Sequence, residues 1–354
     1  KKRISPADWK ALQAAQKSIE SFNRRGRPEG WTARNGHGAT VGEKFDPIRR
    51  VGLYVPGGEV PLVSTVLMTA TLARIAGCPE IAVFTPSSPD GKVAPGLLAA
   101  LDLLGITEVY RVGGVQAVGA MAYGTTMIPA VDKVFGPGNA YVCEAKRQVF
   151  GTVGVDSLPG PSEVMVITDE SARPEFVAAD LLAQAEHDPS SQVVLLTPSA
   201  TLAAAVRVEL ALQLAQLSRR EVTAQALVCS RLVVVPDVAT AFAVSNDYAP
   251  EHLIVQVAEP RRWLSEVRTA GSVFLGQWTP EPMGDYCSGT NHVLPTYGYA
   301  RAYSGLSLGD FVRRMTVQEI SPAGLRDLGP VARTLAELEG LDAHANAVTI
   351  RLNA

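Results

Sequence analysis

The chain has 354 residues, of which 47% are hydrophobic and 19% charged, and its formal net charge is -3. This is the composition of an ordinary folded protein, and the length exceeds what one compact core usually holds, so we expect two or more domains. The charge balance gives no reason to expect nucleic acid or an anionic membrane as a partner, and no apolar run approaches the roughly 18 residues of a membrane span.

The first predicted element is an amphipathic helix near the amino terminus. Apolar residues recur there at spacings of three and four, which places them in one stripe along a helix. The residues of this stripe are Trp9, Leu12, Ala15, Ile19 and Phe22. The stretch 26–38 that follows is rich in turn-forming residues.

Short β-branched runs then alternate with helical stretches from residue 51 onward. The predicted strands are 51–55, 81–84 and 109–112, and the predicted helices are 60–76, 94–104 and one that follows Gly113-Gly114. This alternation is typical of right-handed βαβ units with a mostly parallel sheet.

A turn signal at Pro159-Gly160-Pro161 interrupts the alternation, which then resumes. The next predicted strands are 164–167, 193–196, 232–235, 253–257 and 273–275, with helices between them that include 174–187 and 201–217. After about residue 305 we expect the strands to stop and a helical tail to run from 308 to about 339, with Gly340 as its C-cap. The sequence therefore predicts an α/β protein with two successive parallel-sheet units.

The cysteines lie far apart and form no Cys-x-x-Cys pair; they are Cys78, Cys143, Cys229 and Cys287. We therefore expect thiols in a reducing cytoplasm rather than a disulfide framework or a cysteine zinc site. No signal peptide is visible, although the chain starts at Lys1 without a methionine.

Four of the five histidines lie beside carboxylates or amides, and histidine is both a common metal ligand and the usual proton shuttle near neutral pH. Gln184 and His187 are three residues apart near the end of a predicted helix, so they would share one face. They are candidates for a metal site. Because Gln is a rare ligand, a histidine that interacts with the helix dipole is the commoner explanation.

Asp285 and His292 lie in or beside the glycine-containing segment 284–291. Loops of this kind on rigid scaffolds often hold functional groups, and Asp supplies a hard oxygen ligand. An Asx-turn with a surface histidine explains these residues equally well.

Glu251 and His252 are adjacent and follow Pro250, which favours a loop entry. Both could then reach one cavity at a strand edge, where a carboxylate raises the basicity of the imidazole and suits general-base catalysis. A surface Glu beside a half-buried His is the alternative.

Glu339 and His344 lie in the tail, five residues apart, which is about 140° around a helix. They converge only if the helix ends at Gly340. The tail has little apolar surface to pack on its own chain, and such tails often dock on a second subunit.

Three glycine turns each follow a β-branched run and precede a possible helix: Val55-Pro-Gly-Gly58, Gly113-Gly114 and Phe135-Gly-Pro-Gly-Asn139. Open α/β sheets bind phosphates and nucleotides at such places. None of the turns matches Gly-x-Gly-x-x-Gly or a P-loop. Tight turns required by any βα connection are therefore the default explanation.

Taken together, these segments resemble the histidinol dehydrogenase family over nearly the whole chain. The matching stretches are long and unusual, such as Lys-Val-Phe-Gly-Pro-Gly-Asn at 133–139 and Pro-Glu-His-Leu at 250–253. The others are 50–58, 160–163, 184–187, 284–296 and 343–348. Compared with the family, we expect the chain to lack the usual amino-terminal leader.

The resemblance implies a homodimer with two incomplete Rossmann-like domains of parallel sheet, at 51–160 and 161–305. Residues 1–50 would be a helical segment that joins the second domain, and 306–354 a helical tail that crosses to the dimer partner. The implied reaction oxidises L-histidinol to L-histidine with two NAD molecules, through a bound aldehyde, in the last steps of histidine biosynthesis.

The resemblance also implies one zinc ion per subunit. Its ligands would be Gln184, His187, Asp285 and, from the other subunit, His344. Four nitrogen and oxygen ligands without sulfur leave open positions for the imidazole and amine nitrogens of the substrate. The metal would then orient the substrate rather than activate water.

The remaining roles follow from the same resemblance. His252 is the implied general base, which removes the hydroxyl proton as hydride leaves, and Glu251 is implied to activate water for the aldehyde step. Besides these and the metal ligands, the substrate-contacting positions are Ser162, His292 and Glu339. The cofactor-contacting positions are Tyr54, Gln116 and Asn139.

Two other functions remain open. One is an NAD-dependent dehydrogenase of another small alcohol, such as a hydroxy sulfonate. The presence of Glu339 near His344 argues against this alternative. The other is a zinc hydrolase whose metal activates water. The lack of a His-Glu-x-x-His helix and the presence of the glycine turns favour a dehydrogenase.

Overall fold

The computed structural model describes residues 4–57, 61–157 and 160–354. Gly58 of the first glycine turn, Val60 at the start of a predicted helix, and Pro159 of the turn signal lie outside the described residues. The chain divides into two units: the first contains the residues up to Gly26 together with Ile48–Phe311, and the second contains Arg27–Pro47 and Val312–Ala354.

Helices and strands alternate through most of the described residues. In chain order the helices are α1 (Pro6–Arg25), α2 (Val63–Ala76), α3 (Pro95–Leu103), α4 (Gly114–Tyr123), α5 (Ala140–Val149), α6 (Pro174–Ala185), α7 (Ala200–Leu214), α8 (Arg220–Val228), α9 (Val238–Tyr248), α10 (Glu281–Tyr286), α11 (Pro322–Leu338) and α12 (Asp342–Leu352). The strands are β1 (Trp31–Arg34), β2 (Thr40–Pro47), β3 (Arg50–Tyr54), β4 (Glu80–Phe84), β5 (Glu108–Tyr110), β6 (Lys133–Phe135), β7 (Gly154–Val155), β8 (Glu163–Thr168), β9 (Gln192–Thr197), β10 (Arg231–Val234), β11 (His252–Gln256), β12 (Ser272–Leu275) and β13 (Val312–Glu319).

The first unit contains two parallel five-stranded sheets with the same topology. The first sheet has the order β5-β4-β3-β6-β7, and the second has the order β10-β9-β8-β11-β12. In each, the first strand in sequence is central, the next two lie on one side and the last two on the other. This is the dinucleotide-fold order without its sixth strand. The predicted α/β class with two incomplete Rossmann-like sheets is confirmed.

Continuous burial explains why these strands form. Every residue of β3, β8 and β11 is buried, as is typical of parallel strands covered by helices on both faces. The helix α1 begins with a capping box, in which Ser5 and Asp8 bond each other's backbone N–H groups. It buries Ala15 and Ile19, two residues of the predicted stripe. None of the helices in the described ranges is both long and apolar enough to cross a bilayer.

The second unit combines a three-stranded antiparallel sheet, ordered β1-β2-β13, with the paired helices α11 and α12. Within it His37 Nδ1 lies 2.7 Å from the carboxylate of Asp327. The helix α11 ends at Leu338, and Gly340 follows with a φ of +70°. The predicted helix end at Gly340 is therefore confirmed.

Three predictions about the elements are wrong. The tail is not helical from residue 308, because β13 pairs with β2 along eight residues. The burial pattern of β13 is mostly exposed, so it lacks the apolar run by which a strand is recognised. The segment 1–50 is not wholly helical, because β1 and β2 follow α1. Finally, α6 ends at Ala185, two residues before His187.

Candidate active site

A cavity of about 470 Å³ lies in the first unit, between the carboxyl edge of its first sheet and the amino edge of its second sheet. One wall comes from loops beyond the carboxyl ends of β3 and β6, including Pro56 and residues 137–141. The other wall comes from residues at the amino ends of β8 and β11, including Ser162, Glu251 and His252. The first sheet therefore presents its usual ligand-binding edge, whereas the second presents the opposite one.

This cavity is lined by seven of the residues that the histidine clusters and the resemblance predicted. One of the three predicted cofactor residues lines it too. They are Ser162, Gln184, His187, Glu251, His252, Asp285, His292 and Asn139. The fold thus gathers residues that are far apart in the sequence.

Glu251 and His252 form a buried carboxylate–imidazole pair at the start of β11. Glu251 Oε2 lies 3.6 Å from His252 Nδ1. The side chains expose only 6% and 3% of their surface, so solvent screens their interaction little. Adjacent residues reach one site because the strand begins at His252, and Glu251 still belongs to the preceding loop.

The ring nitrogens of His252 face different partners. Nδ1 lies 3.1 Å from the backbone carbonyl oxygen of Glu163, and Nε2 lies 3.5 Å from Asp285 Oδ1. When Nδ1 donates its hydrogen to the carbonyl oxygen, Nε2 keeps a free lone pair, which is the tautomer that a general base needs. Burial lowers the pKa of His252, but the charges of Glu251 and other nearby carboxylates outweigh it and hold that pKa well above its usual value.

A group of potential metal ligands lies beside this pair. One ligand atom from each of His187, Glu281 and Asp285 can be chosen so that all lie within 4.8 Å of one another. Imidazole nitrogen and carboxylate oxygen are donors that zinc accepts. Glu281 and Asp285 are one turn apart on the short helix α10. Glu281 is not among the site residues predicted from the sequence.

The amide of Gln184 connects this group to α6. In the orientation that satisfies its hydrogen bonds, its nitrogen donates to the two carboxylate oxygens of Glu281 at 2.8 and 3.1 Å. Its carbonyl oxygen is then left to act as a ligand. The nitrogen also lies 3.1 Å from His252 Nδ1, to which it can donate only when that ring nitrogen carries no hydrogen. When Nδ1 carries the hydrogen and donates to the carbonyl oxygen of Glu163, the amide hydrogens are left for Glu281.

The two carboxylates of α10 differ in their electrostatics. Burial raises the pKa of Glu281 to about 8, with His252 opposing the shift and Asp285 adding to it. Burial also raises the pKa of Asp285, but its hydrogen bond to His252 and the charge of that ring outweigh this and keep the pKa below its usual value. A site that gathers several carboxyl groups in a buried place is suited to a cation, which would stabilise their charged forms.

His292 and Ser162 extend the site along the cavity. His292 Nδ1 lies 3.0 Å from the backbone oxygen of Asp285, and Nε2 lies 3.3 Å from the hydroxyl of Thr65. Burial lowers the pKa of His292, which favours the neutral form of the ring. The backbone oxygen of Ser162 accepts a hydrogen bond from Gln192 at 3.1 Å, which fixes this residue at the edge of the second sheet.

Glu163 is a second residue that sequence reasoning missed. Its N–H donates to Glu251 Oε2 at 2.8 Å, and its carbonyl group faces His252. Its side chain accepts a hydrogen bond from the N–H of Tyr297 at 3.0 Å. Burial raises the pKa of Glu163 to about 7. It belongs to the stretch 160–163 that carries part of the resemblance, but no property of the sequence indicates a role.

The predicted cofactor residues lie around the carboxyl edge of the first sheet. Asn139 caps α5 by accepting a hydrogen bond from the N–H of Val142 at 3.1 Å. Tyr54 ends β3, and its hydroxyl accepts a hydrogen bond from the N–H of Gly114 at 3.1 Å. Gln116 is exposed in the first turn of α4. Tyr54 and Gln116 do not line the cavity.

The last two predicted residues belong to the second unit. Glu339 follows the final residue of α11, and His344 lies in the first turn of α12. Both are exposed.

Comparisons with known proteins agree with one another. The chain matches the family model described as histidinol dehydrogenase over residues 1–352. It is 54% identical over 351 residues to a histidinol dehydrogenase from Xylella fastidiosa (strain 9a5c), covering 99% of this chain and 81% of that protein. A histidinol dehydrogenase from Vibrio parahaemolyticus serotype O3:K6 (strain RIMD 2210633) is 51% identical over 353 residues, with coverage of 99% and 81%.

Solved structures give the same result. A crystal structure of histidinol dehydrogenase from Elizabethkingia anophelis has a TM-score of 0.97 and 43% identity, covering 99% of this chain and 81% of that chain. A probable aldehyde dehydrogenase from Listeria monocytogenes EGD-e has a TM-score of 0.54 and 11% identity, covering 89% and 88%. It shares only the fold. The chain therefore belongs to the histidinol dehydrogenase family and is an oxidoreductase of histidine biosynthesis.

Proposed function

We propose that the chain uses zinc and NAD to oxidise L-histidinol to L-histidine in two steps, through L-histidinaldehyde. The observation that carries this proposal is that a single cavity brings together residues from both sheets of the first unit. One wall holds a buried carboxylate–imidazole pair and potential metal ligands, and the other holds the glycine loop before α5. A dehydrogenase needs both a proton acceptor and a place for the dinucleotide beside the substrate.

We propose Gln184, His187 and Asp285 as zinc ligands, with His344 of the partner subunit as the fourth. The cluster of nitrogen and oxygen donors supports this assignment, as does the Gln184 amide, whose nitrogen is engaged by Glu281. When bound, the ion would orient the substrate, favour the charged forms of Glu281 and Asp285 and offset their negative charge, which favours a neutral imidazole at His252.

His252 acts as the general base in this proposal. With Nδ1 donating to the backbone of Glu163, Nε2 accepts the hydroxyl proton of the alcohol as hydride leaves the adjacent carbon. Glu251 then takes a proton from water, which adds to the aldehyde carbonyl. The hydrate formed in this way can give a second hydride to NAD and its hydroxyl proton to His252, and so become the acid.

Ser162 and His292 would contact the substrate from the remaining sides of the cavity. We propose Tyr54, Gln116 and Asn139 for the dinucleotide, since all three lie at βα connections of the first sheet. A homodimer would add Glu339 and His344 of the partner subunit to each site. Cytoplasmic localisation is proposed from the biosynthetic role.

The stoichiometry of NADH release tests the proposed function. We expect two NADH per L-histidinol consumed, with L-histidine as the product, because each oxidation step transfers one hydride. A hydroxy sulfonate that yields NADH while histidinol yields none would favour the related dehydrogenase. Hydrolysis of an ester or amide without any NADH would favour the zinc hydrolase.

A further prediction concerns Glu281 as the residue that holds the Gln184 amide. Glu281→Ala should weaken zinc binding by about 10- to 100-fold, because an unsupported ligand loses its orientation. Glu281→Gln keeps an acceptor oxygen for the amide and should lose less. Zinc affinity is measured by competition with a chelator, with Asp285→Ala as the reference for a lost ligand. Wild-type affinity in Glu281→Ala would remove this role.

A further inference from the structure

A buried ion pair beside the first sheet has no part in the proposed mechanism. Lys146 of α5 and Asp156, just after β7, form a salt bridge with side chains that are 0% and 2% exposed. Burying two charges costs solvation free energy that a well-packed apolar pair of similar volume avoids. The pair therefore calls for an explanation other than stability.

The pair holds one residue of the glycine loop by both of its backbone polar groups. Lys146 Nζ donates to the carbonyl oxygen of Gly136 at 3.1 Å. The N–H of Gly136 donates to Asp156 Oδ2 at 2.7 Å. Asp156 is in turn anchored by its own N–H, which donates to the carbonyl oxygen of Val134 in β6 at 3.1 Å.

Gly136 adopts a conformation that needs such support. Its φ is +112°, and an added Cβ would overlap the carbonyl oxygen of Tyr54. The chain thus turns sharply across the end of β3, where no side chain of its own can fix it. From there it passes through Pro137 and Gly138 to Asn139, the N-cap of α5.

This loop is part of the cavity wall. Residues 137–141 line the cavity. An added Cβ at Gly138 would overlap the side chain of Val142, so the loop also lies close against the first turn of α5. The ion pair therefore holds in place, from the buried side, the loop that lines the cavity.

We propose that Lys146 and Asp156 are positioning residues for the dinucleotide. They hold Gly136 so that the loop 136–139 and the amino end of α5 keep the shape that binds NAD. An apolar pair would fill the same space but leave the N–H and C=O of Gly136 without partners. This inference rests on the proposed use of NAD.

Two double variants test the proposal against a merely structural role. Both remove the charges, so neither leaves one charge buried alone. Lys146→Gln with Asp156→Asn keeps a donor and an acceptor for Gly136, whereas Lys146→Met with Asp156→Leu keeps neither. We expect the polar pair to raise the KM for NAD by no more than about threefold, and the apolar pair to raise it about tenfold or more.

The other readouts identify the cause. In the apolar variant, we expect the KM for histidinol, the bound zinc and kcat at saturating NAD to stay near their wild-type values. Arg50→Met is the matched control, since it removes another buried charge of the same sheet, at the amino ends of the strands, where Arg50 bonds Glu80 and Glu108. It should lower Tm without changing the KM for NAD.

Equal KM values for NAD in the two double variants, whether both low or both high, would overturn the proposal. If the apolar variant does not fold, Gly138→Ala displaces the loop without touching the ion pair, and it must raise the KM for NAD. An unchanged KM there would show that the shape of the loop is irrelevant. A wild-type protein that makes no NADH from histidinol would instead contradict the proposed function.

Discussion

Glu251→Gln is expected to slow oxidation of the aldehyde by on the order of a hundredfold, and oxidation of the alcohol far less. Only the aldehyde step requires an activated water, and an amide cannot take its proton. The substitution should preserve the local structure, because the amide oxygen can still accept the hydrogen bond that the N–H of Glu163 donates at 2.8 Å.

His252→Asn is the companion variant, and it should slow both steps by on the order of a hundredfold or more, since both need a proton acceptor. The half-reactions are separated by supplying either L-histidinol or L-histidinaldehyde and following NADH in single turnovers. Bound zinc, measured in each variant, controls for damage to the metal site. Equal losses of the two steps in Glu251→Gln would remove the proposed division of roles.

The two parallel sheets were predictable because their central strands are buried on both faces. β8 is a continuous run of six buried residues, and such runs between turn signals are recognised without knowledge of their partners. β13 has the opposite character: most of its residues are exposed. Its existence depends on pairing with β2, far away in the chain, and no local pattern shows such a pairing.

The candidate site was predictable to the extent that its chemistry uses rare residues. The histidines and the adjacent carboxylate of Glu251 are conspicuous in a chain with five histidines. Glu281 is not, because Glu-Pro near a helix start is ordinary. Its significance arises only when α10 packs against α6 and brings it to the amide of Gln184.

The use of opposite sheet edges could not be predicted either. Ligands of open α/β sheets usually bind at the carboxyl ends of the strands. Here Glu163 and His252 are the first residues of their strands, so the second sheet contributes its amino edge. That choice depends on how the second sheet packs on the first, which is set by contacts distant in sequence.

Mixing two inactive variants should restore activity if each site needs two chains. His344 lies in the second unit, outside the part of the chain that holds Gln184, His187 and Asp285. We have proposed that it binds the metal of the partner subunit. His344→Ala damages the tail, residues 306–354, and His187→Ala damages the body, which is the rest of the chain. Each homodimer alone should be almost inactive, because each lacks a proposed metal ligand in both sites.

In a mixed dimer, one site receives both defects and the other combines an intact body with an intact tail. Random exchange makes about half of the dimers mixed, each with one working site of two, so activity should recover to roughly a quarter of wild type for a symmetric dimer. Subunit exchange is verified with tagged chains, and bound zinc should rise in parallel. His187→Ala mixed with Asp285→Ala is the matched control: both defects lie in the body, so no mixed dimer has a working site. Verified exchange without recovery in the first mixture would mean that His344 serves its own chain or binds no metal.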